Sequence, residues 1–169
     1  MEVFEGVLCP GFVNAHCHLE LSHLLGKAEE GKGFLDFISV LKQRDNYTEI
    51  EKKIAINNAE QQMINNGIVG VGDICNTADT LFQKEKENLK YYNFIEVFGV
   101  KDDLENKIIS EAIDLRNQFR KAAQRATISP HAPYSVPPNL MKKIKKLFSH
   151  KDVLMTIHCL LYTSPSPRD

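Results

Sequence analysis

His16 and His18 flank Cys17 at the end of an apolar run, in the stretch PGFVNAHCHLELSHL (residues 10–24). Side chains two positions apart on a strand point to the same face. Neutral imidazole is a ligand for zinc and for other late first-row metals. A strand tip could therefore present both rings to one divalent ion. Two partly buried, hydrogen-bonded histidines would leave the same trace. Cys17 must point to the opposite face, where it reads as a small buried apolar residue.

Other polar candidates end other apolar runs. Asp73 ends GIVGVGDI (67–74), His131 lies in SPHAPYSVPP (129–138), and His158 ends VLMTIH (153–158). Glu20 and His23 follow the first run. A further histidine ending a separate parallel strand favours a shared metal over a hydrogen-bonded pair. Plainer roles remain open. Asp73 can cap the next helix, and His131, between two prolines, can be a rigid turn residue. His23 reads as a surface or supporting residue. His150, at a lysine-rich helix end, reads as solvated.

The elements that must position these groups alternate. Strands are expected at 11–16, 67–74, 91–100, 126–129 and 153–158. An amphipathic helix is expected over 33–43, with Phe34, Phe37, Ile38 and Leu41 on one side. Thr48 and Glu51 form a capping box for a helix over 49–66, whose stripe is Ile50, Ile54, Ala59 and Met63. A short helix follows at 79–86. A longer one at 104–123 carries Ile108, Ala112, Leu115 and Phe119, and another near 137–149 carries Leu140, Ile144 and Leu147. Strands alternating with helices, without hairpins, imply an α/β fold with a parallel sheet. Near-continuous apolar strands imply burial on both faces. The first and fifth strands begin at residues 11 and 153, roughly 35 residues per unit, whereas an eight-fold barrel takes about 250 in all. The expectation is a partial TIM-like (β/α)8 barrel of about five units. In such folds the carboxyl ends of the strands carry function, which is where the histidines lie.

Composition narrows the rest. The 169 residues are 43% hydrophobic, enough for one core, and 21 basic residues nearly balance 22 acidic ones. That balance argues against nucleic acid or an anionic membrane as partner. No apolar run approaches 18 residues, and the N-terminus lacks the pattern of a signal peptide. Four cysteines without C-x-x-C spacing suit reduced thiols and a cytoplasmic location. A nucleotide-cofactor fold is disfavoured, because GIVGVGD lacks a G-x-G-x-x-G opening a helix. LYTSPSPRD (161–169) breaks every pattern, so 159–169 is expected to be a foreign or disordered tail, leaving 1–158 as an incomplete barrel domain.

PGFVNAHCHLELSHL, with the later SPHAPYS and TIH, closely resembles the amidohydrolase superfamily. The similarity is to its branch of cyclic-amidine deaminases and chlorohydrolases, such as guanine, adenosylhomocysteine and aminodeoxyfutalosine deaminases. It covers residues 7 to about 158. It implies a distorted barrel with one divalent metal, zinc or iron, held by His16, His18 and His158. It implies that His131 faces the substrate and that Glu20 lines the substrate pocket. In such relatives the metal lowers the pKa of bound water toward about 7, and a carboxylate moves the proton to the leaving amine.

The sequence departs from that pattern. Leu161 stands where relatives carry the proton-shuttling glutamate, and the strand-six histidine and strand-eight aspartate have no counterpart. Residues 1–8 are expected to be the last strand of a missing β-sandwich. The expectation is a fragment of a metal-dependent hydrolase of non-peptide C–N bonds, a deaminase of a heterocyclic amidine or similar small molecule. Its catalytic set is incomplete, the isolated chain is inactive, and its open sheet edges favour poor solubility. The full-length protein could be oligomeric. The alternative is a non-catalytic metal-binding or structural α/β module.

Overall fold

The computed structural model describes residues 5–29, 31–99, 104–148 and 153–159. Four strands, β1 (Phe12–Cys17), β2 (Ile68–Cys75), β3 (Lys90–Val97) and β4 (Arg125–Pro130), pair side by side in sequence order, all parallel. The connections carry α1 (Phe34–Leu41) and α2 (Glu49–Asn65), then α3 (Leu81–Lys84), then α4 (Glu105–Lys121); α5 (Pro138–Leu147) follows β4. This is the α/β arc expected of a TIM-like barrel.

The strands bury one face against helices. Cys75, Ile95, Val97, Ala126 and Ile128 pack on Ala112 and Phe119 of α4 and on Leu140 and Ile144 of α5. Val71 and Tyr91 pack with Ile56 and Met63 of α2. A fully buried side chain of this size contributes about 1.5–3 kcal/mol. The opposite face forms a groove of about 510 Å³ that includes Val13, Ala15, Gly72, Tyr92 and Phe94. Gly72 is required there: a Cβ would lie 2.7 Å from the Ala15 carbonyl oxygen.

β1 carries an irregularity that matters below. Asn14 pairs with Val71 and Cys17 with Asp73, so β1 advances three residues while β2 advances two. This bulge keeps Asn14 and Cys17 on the helix side, where Asn14 Nδ2 meets Met63 Sδ and Cys17 packs on the second core cluster. It turns the side chains beyond Ala15 the other way.

Several expectations are corrected. The capping box is present, with Thr48 N donating to Glu51 Oε2 and Glu51 N to Thr48 Oγ1. The inner face of α2, however, is Ile56, Glu60 and Met63, and Ile50 and Ile54 are exposed. Glu60 takes the inner place because Tyr91 Oη, Asn88 Nδ2 and Gln83 Nε2 all donate to its carboxylate. In α1, Phe37 is exposed while Ile38 and Leu41 are half-buried, and none of the three joins either core cluster; the Phe34 side chain lies outside the described residues. The fifth strand is not a strand. Residues 153–158 run alongside β4 with one backbone bond, His158 N to His131 O at 2.8 Å. Two further amides go to hydroxyls, Leu154 N to Tyr92 Oη and Thr156 N to Ser129 Oγ, so no ladder forms. Residues 5–11 carry no regular structure, so the described part of 1–8 forms no strand. Residues 1–4, His150 and the expected tail beyond Cys159 lie outside the described residues.

One buried ion pair ties the layers together. Asp73 and Lys84 both have fully buried side chains, and Lys84 Nζ binds Asp73 Oδ2. Lys84 Nζ also lies over the Tyr91 and Phe119 rings, 5.1 and 4.9 Å from their centroids. Burial opposes the ammonium charge, but Asp73 and the Cys75 sulfur together outweigh it and hold the Lys84 pKa above its usual value. Removing one partner of such a pair costs about 3–5 kcal/mol, because the other is left charged in the interior. Lys84→Met should therefore destabilise the fold by about that much. The double variant Asp73→Asn, Lys84→Met should lose clearly less. Urea unfolding checks both, and equal losses would contradict the pairing.

Candidate metal centre

The bulge in β1 and the turn after it deliver His16 and His18 to the same end of the sheet. Asp73 helps to set that turn: its Oδ1 accepts the Leu19 amide at 2.8 Å, one residue past His18. His158 arrives from the extended segment beside β4. The three rings converge, with centroids 5.2 Å apart for His16 and His18, 4.8 Å for His16 and His158, and 5.6 Å for His18 and His158. One ring nitrogen from each lies within 4.8 Å of the other two. That is close enough for all three to reach a common cation with small side-chain adjustments.

The surroundings keep these imidazoles neutral, the form that coordinates metal. Burial, then the neighbouring His16 and His158, pushes His18 down to about 4. Burial followed by His158 lowers His16, and burial lowers His158. His18 Nδ1 is buried and meets no hydrogen-bond partner among the described residues. A buried ring nitrogen without a partner, beside two other imidazoles, suits a cation. The helix-facing Cys17 is no such candidate, since burial, followed by Asp73, pushes its thiol up to about 12.

His131 directly follows β4 and sits against His158, ring centroids 5.0 Å apart. Ser135 Oγ lies 2.6 Å from its Nδ1, and the rings of Phe98 and Tyr134 flank it. Burial, then His158, lowers its pKa. Glu20 is only 4% exposed. Its carboxylate accepts the Asn76 and Thr77 amides and the Thr77 hydroxyl, which ties the turn after β1 to the end of β2. Burial outweighs those bonds and pushes Glu20 up to about 7. Asp73 is the anchor described above, not a helix cap. His23 stands apart from the cluster, with Nε2 on the Arg44 carbonyl and its ring on Tyr47.

Two participants escaped the sequence reading. Lys84 gave no signal, because one lysine in a short helix looks solvated. Glu96 is the penultimate residue of β3, and its carboxylate groups with His131 and His158, with donor atoms within 4.8 Å of one another. A lone acid closing the apolar run YYNFIEV was a usable sign.

Known proteins resemble this chain in sequence and in fold. An adenosine deaminase of Helicobacter pylori is 30% identical over 167 residues, covering 94% of this chain and 39% of that protein. An aminodeoxyfutalosine deaminase of Nitratiruptor is 24% identical over 157 residues, 91% of this chain and 39% of the relative. The chain thus spans about two fifths of the length of the curated relatives it matches. Among solved structures, Helicobacter pylori aminofutalosine deaminase in complex with methylthio-coformycin superposes with a TM-score of 0.70 at 20% identity, over 89% of this chain and 37% of the other. A zinc-bound adenosine deaminase from Xanthomonas campestris gives 0.68 at 19% identity, over 88% and 36%. At such identities the structures establish the fold. Residues 7–165 match the Amidohydrolase family, and the chain belongs to that family.

Proposed function

We propose that His16, His18 and His158 hold one divalent cation, zinc in preference to iron, within a hydrolase that deaminates a heterocyclic amidine. The convergence of three neutral imidazoles carries this reading. Three nitrogen donors with further positions open suit a zinc site that keeps room for water and substrate. The zinc in the Xanthomonas structure supports the metal, and the coformycin complex supports a nucleoside-like substrate. When bound, such an ion supplies a Lewis acid and lowers the pKa of water.

The chain's own residues do the rest. The bulge and the Asp73 anchor orient the first two imidazoles, and burial keeps them unprotonated. His131, beside the cluster and fixed by Ser135, is placed to hydrogen-bond a polar group on the substrate. Glu20 contributes by holding the turn that carries His18, because its oxygens are already engaged. Glu96 is the carboxylate within reach of the imidazole nitrogens among the described residues; it accepts from Asn76 Nδ2 and lies 3.3 Å from His158 Nε2. A free carboxylate to shuttle a proton is what hydrolysis of a C–N bond would still require. We therefore take the chain to be part of a longer enzyme and inactive by itself.

Zinc titration against a chromogenic chelator should show one equivalent bound. Loss of a supporting residue typically costs 10–100-fold in metal affinity, so loss of a ligand in His16→Ala or His18→Ala should cost more than ~100-fold. Wild-type affinity in both variants would remove the basis of the reading. Zinc-loaded chain should release no ammonia from adenosine or guanine above the His16→Ala control. Turnover above that control would show that the residues present suffice for catalysis.

A further inference from the structure

His131 is held from several sides. Its amide donates to the Val97 carbonyl at 2.9 Å, and its carbonyl accepts the His158 amide at 2.8 Å. Its ring Nδ1 lies 2.6 Å from Ser135 Oγ, and the ring makes T-shaped contacts with Phe98 and Tyr134. Ser135 is fixed in turn. Its amide donates to the Ala132 carbonyl at 3.1 Å, and its carbonyl accepts the Gly99 amide at 2.9 Å. The turn between β4 and α5 is thus tied to the chain just past β3, with the Ser135 hydroxyl against the imidazole.

The proton count at that hydroxyl decides what the ring can offer. A serine hydroxyl has one proton to donate and two lone pairs with which to accept. Ser135 Oγ donates to the Ala132 carbonyl at 3.2 Å. A carbonyl oxygen only accepts, so the proton in that contact comes from the serine. The 2.6 Å contact is then filled from the other side, by an Nδ1–H of His131. A neutral imidazole protonated on Nδ1 has a bare Nε2. That nitrogen lies across the ring from Ser135. It makes no hydrogen bond among the described residues, although the ring groups with Glu96 and His158.

We infer that Ser135 is a positioning residue that fixes His131 as its Nδ1–H tautomer, so that Nε2 is an acceptor and takes an N–H of the substrate's amidine. The tautomer stands on these hydrogen bonds alone. The substrate half rests on the deaminase reading above and narrows it: the imidazole meets the amino group of the amidine, not its bare ring nitrogen, which is itself an acceptor. A site built to pair a donor disfavours the analogue that lacks it, because the site's own acceptor is left unpaired.

Nitrogen-15 spectra of the zinc-free full chain, at a pH where its imidazoles are neutral, read the tautomer. The His131 signals, identified by their loss in His131→Gln, should show a proton on Nδ1 and none on Nε2. A proton on Nε2, directed toward Glu96, overturns the inference in the wild type, with no variant needed. Ser135→Ala should move the proton toward Nε2, the form a free imidazole prefers. Ser135→Thr, which keeps a hydroxyl, should retain it on Nδ1, and unchanged far-ultraviolet circular dichroism shows that both fold. An Nδ1–H that persists in Ser135→Ala removes the role of Ser135. Adenosine should shift the His131 Nε2 signal, and purine riboside, with hydrogen in place of the amino group, should need about 10-fold more ligand to do so. Equal shifts overturn the contact with the amino group alone. No shift with either, with the tautomer as expected, defeats the deaminase reading rather than the role of Ser135.

Discussion

A carboxylate with no solvent exposure must be compensated where it lies, and Asp73 is compensated from two sides. The Lys84 ammonium meets one oxygen and the Leu19 amide the other. Desolvating an ion costs several kcal/mol, so neither contact is replaceable by water. Through Lys84 the carboxylate grips α3 and the aromatic layer of Tyr91 and Phe119. Through Leu19 it sets where the chain goes after His18. The end of β2 therefore governs the shape of the end of β1, although the two are more than fifty residues apart in sequence. Glu20 repeats the device one residue later, reaching back to the Asn76 and Thr77 amides.

With that turn held, the bulge in β1 acquires its purpose. Regular alternation from Val13, which lines the groove, would put His16 on the helix side. The extra residue against β2 brings His16 and His18 to the open face and leaves Cys17 among the helices. Bulges are common beside functional sites because they re-aim side chains without ending the strand. Gly72 makes room for it, since a side chain there would strike the displaced Ala15 carbonyl.

The third imidazole is held differently. His158 belongs to a segment joined to the sheet by one backbone bond and two hydroxyl contacts. Its place depends more on the side chains of Tyr92 and Ser129 than on a ladder. One rigid strand and one lightly tethered segment thus meet at the same point. Burial in this corner disfavours imidazolium and carboxylate charge alike, which lowers the histidines and raises Glu96. Neutral rings are what a cation site needs before the cation arrives.

Local rules determined much of this from the sequence alone. The spacing of apolar residues marked four strands and the long helices, and Thr48 with Glu51 marked the start of α2. The period of two put His16 and His18 on one face, and the recurrence of histidines at strand ends named His131 and His158. Those signals survive because they depend on neighbours within one turn or one strand. Only the tertiary structure decided the rest. Which face of α2 turns inward depended on partners for Glu60 from β3 and from the connection before it. Whether 153–158 forms a ladder depended on hydroxyls from Tyr92 and Ser129. The burial of Lys84, the anchoring of Glu20 and the meeting of Glu96 with His158 each join groups distant in the chain. The free energy of a buried polar group is set by its partner in space, and no local pattern records which residue that will be.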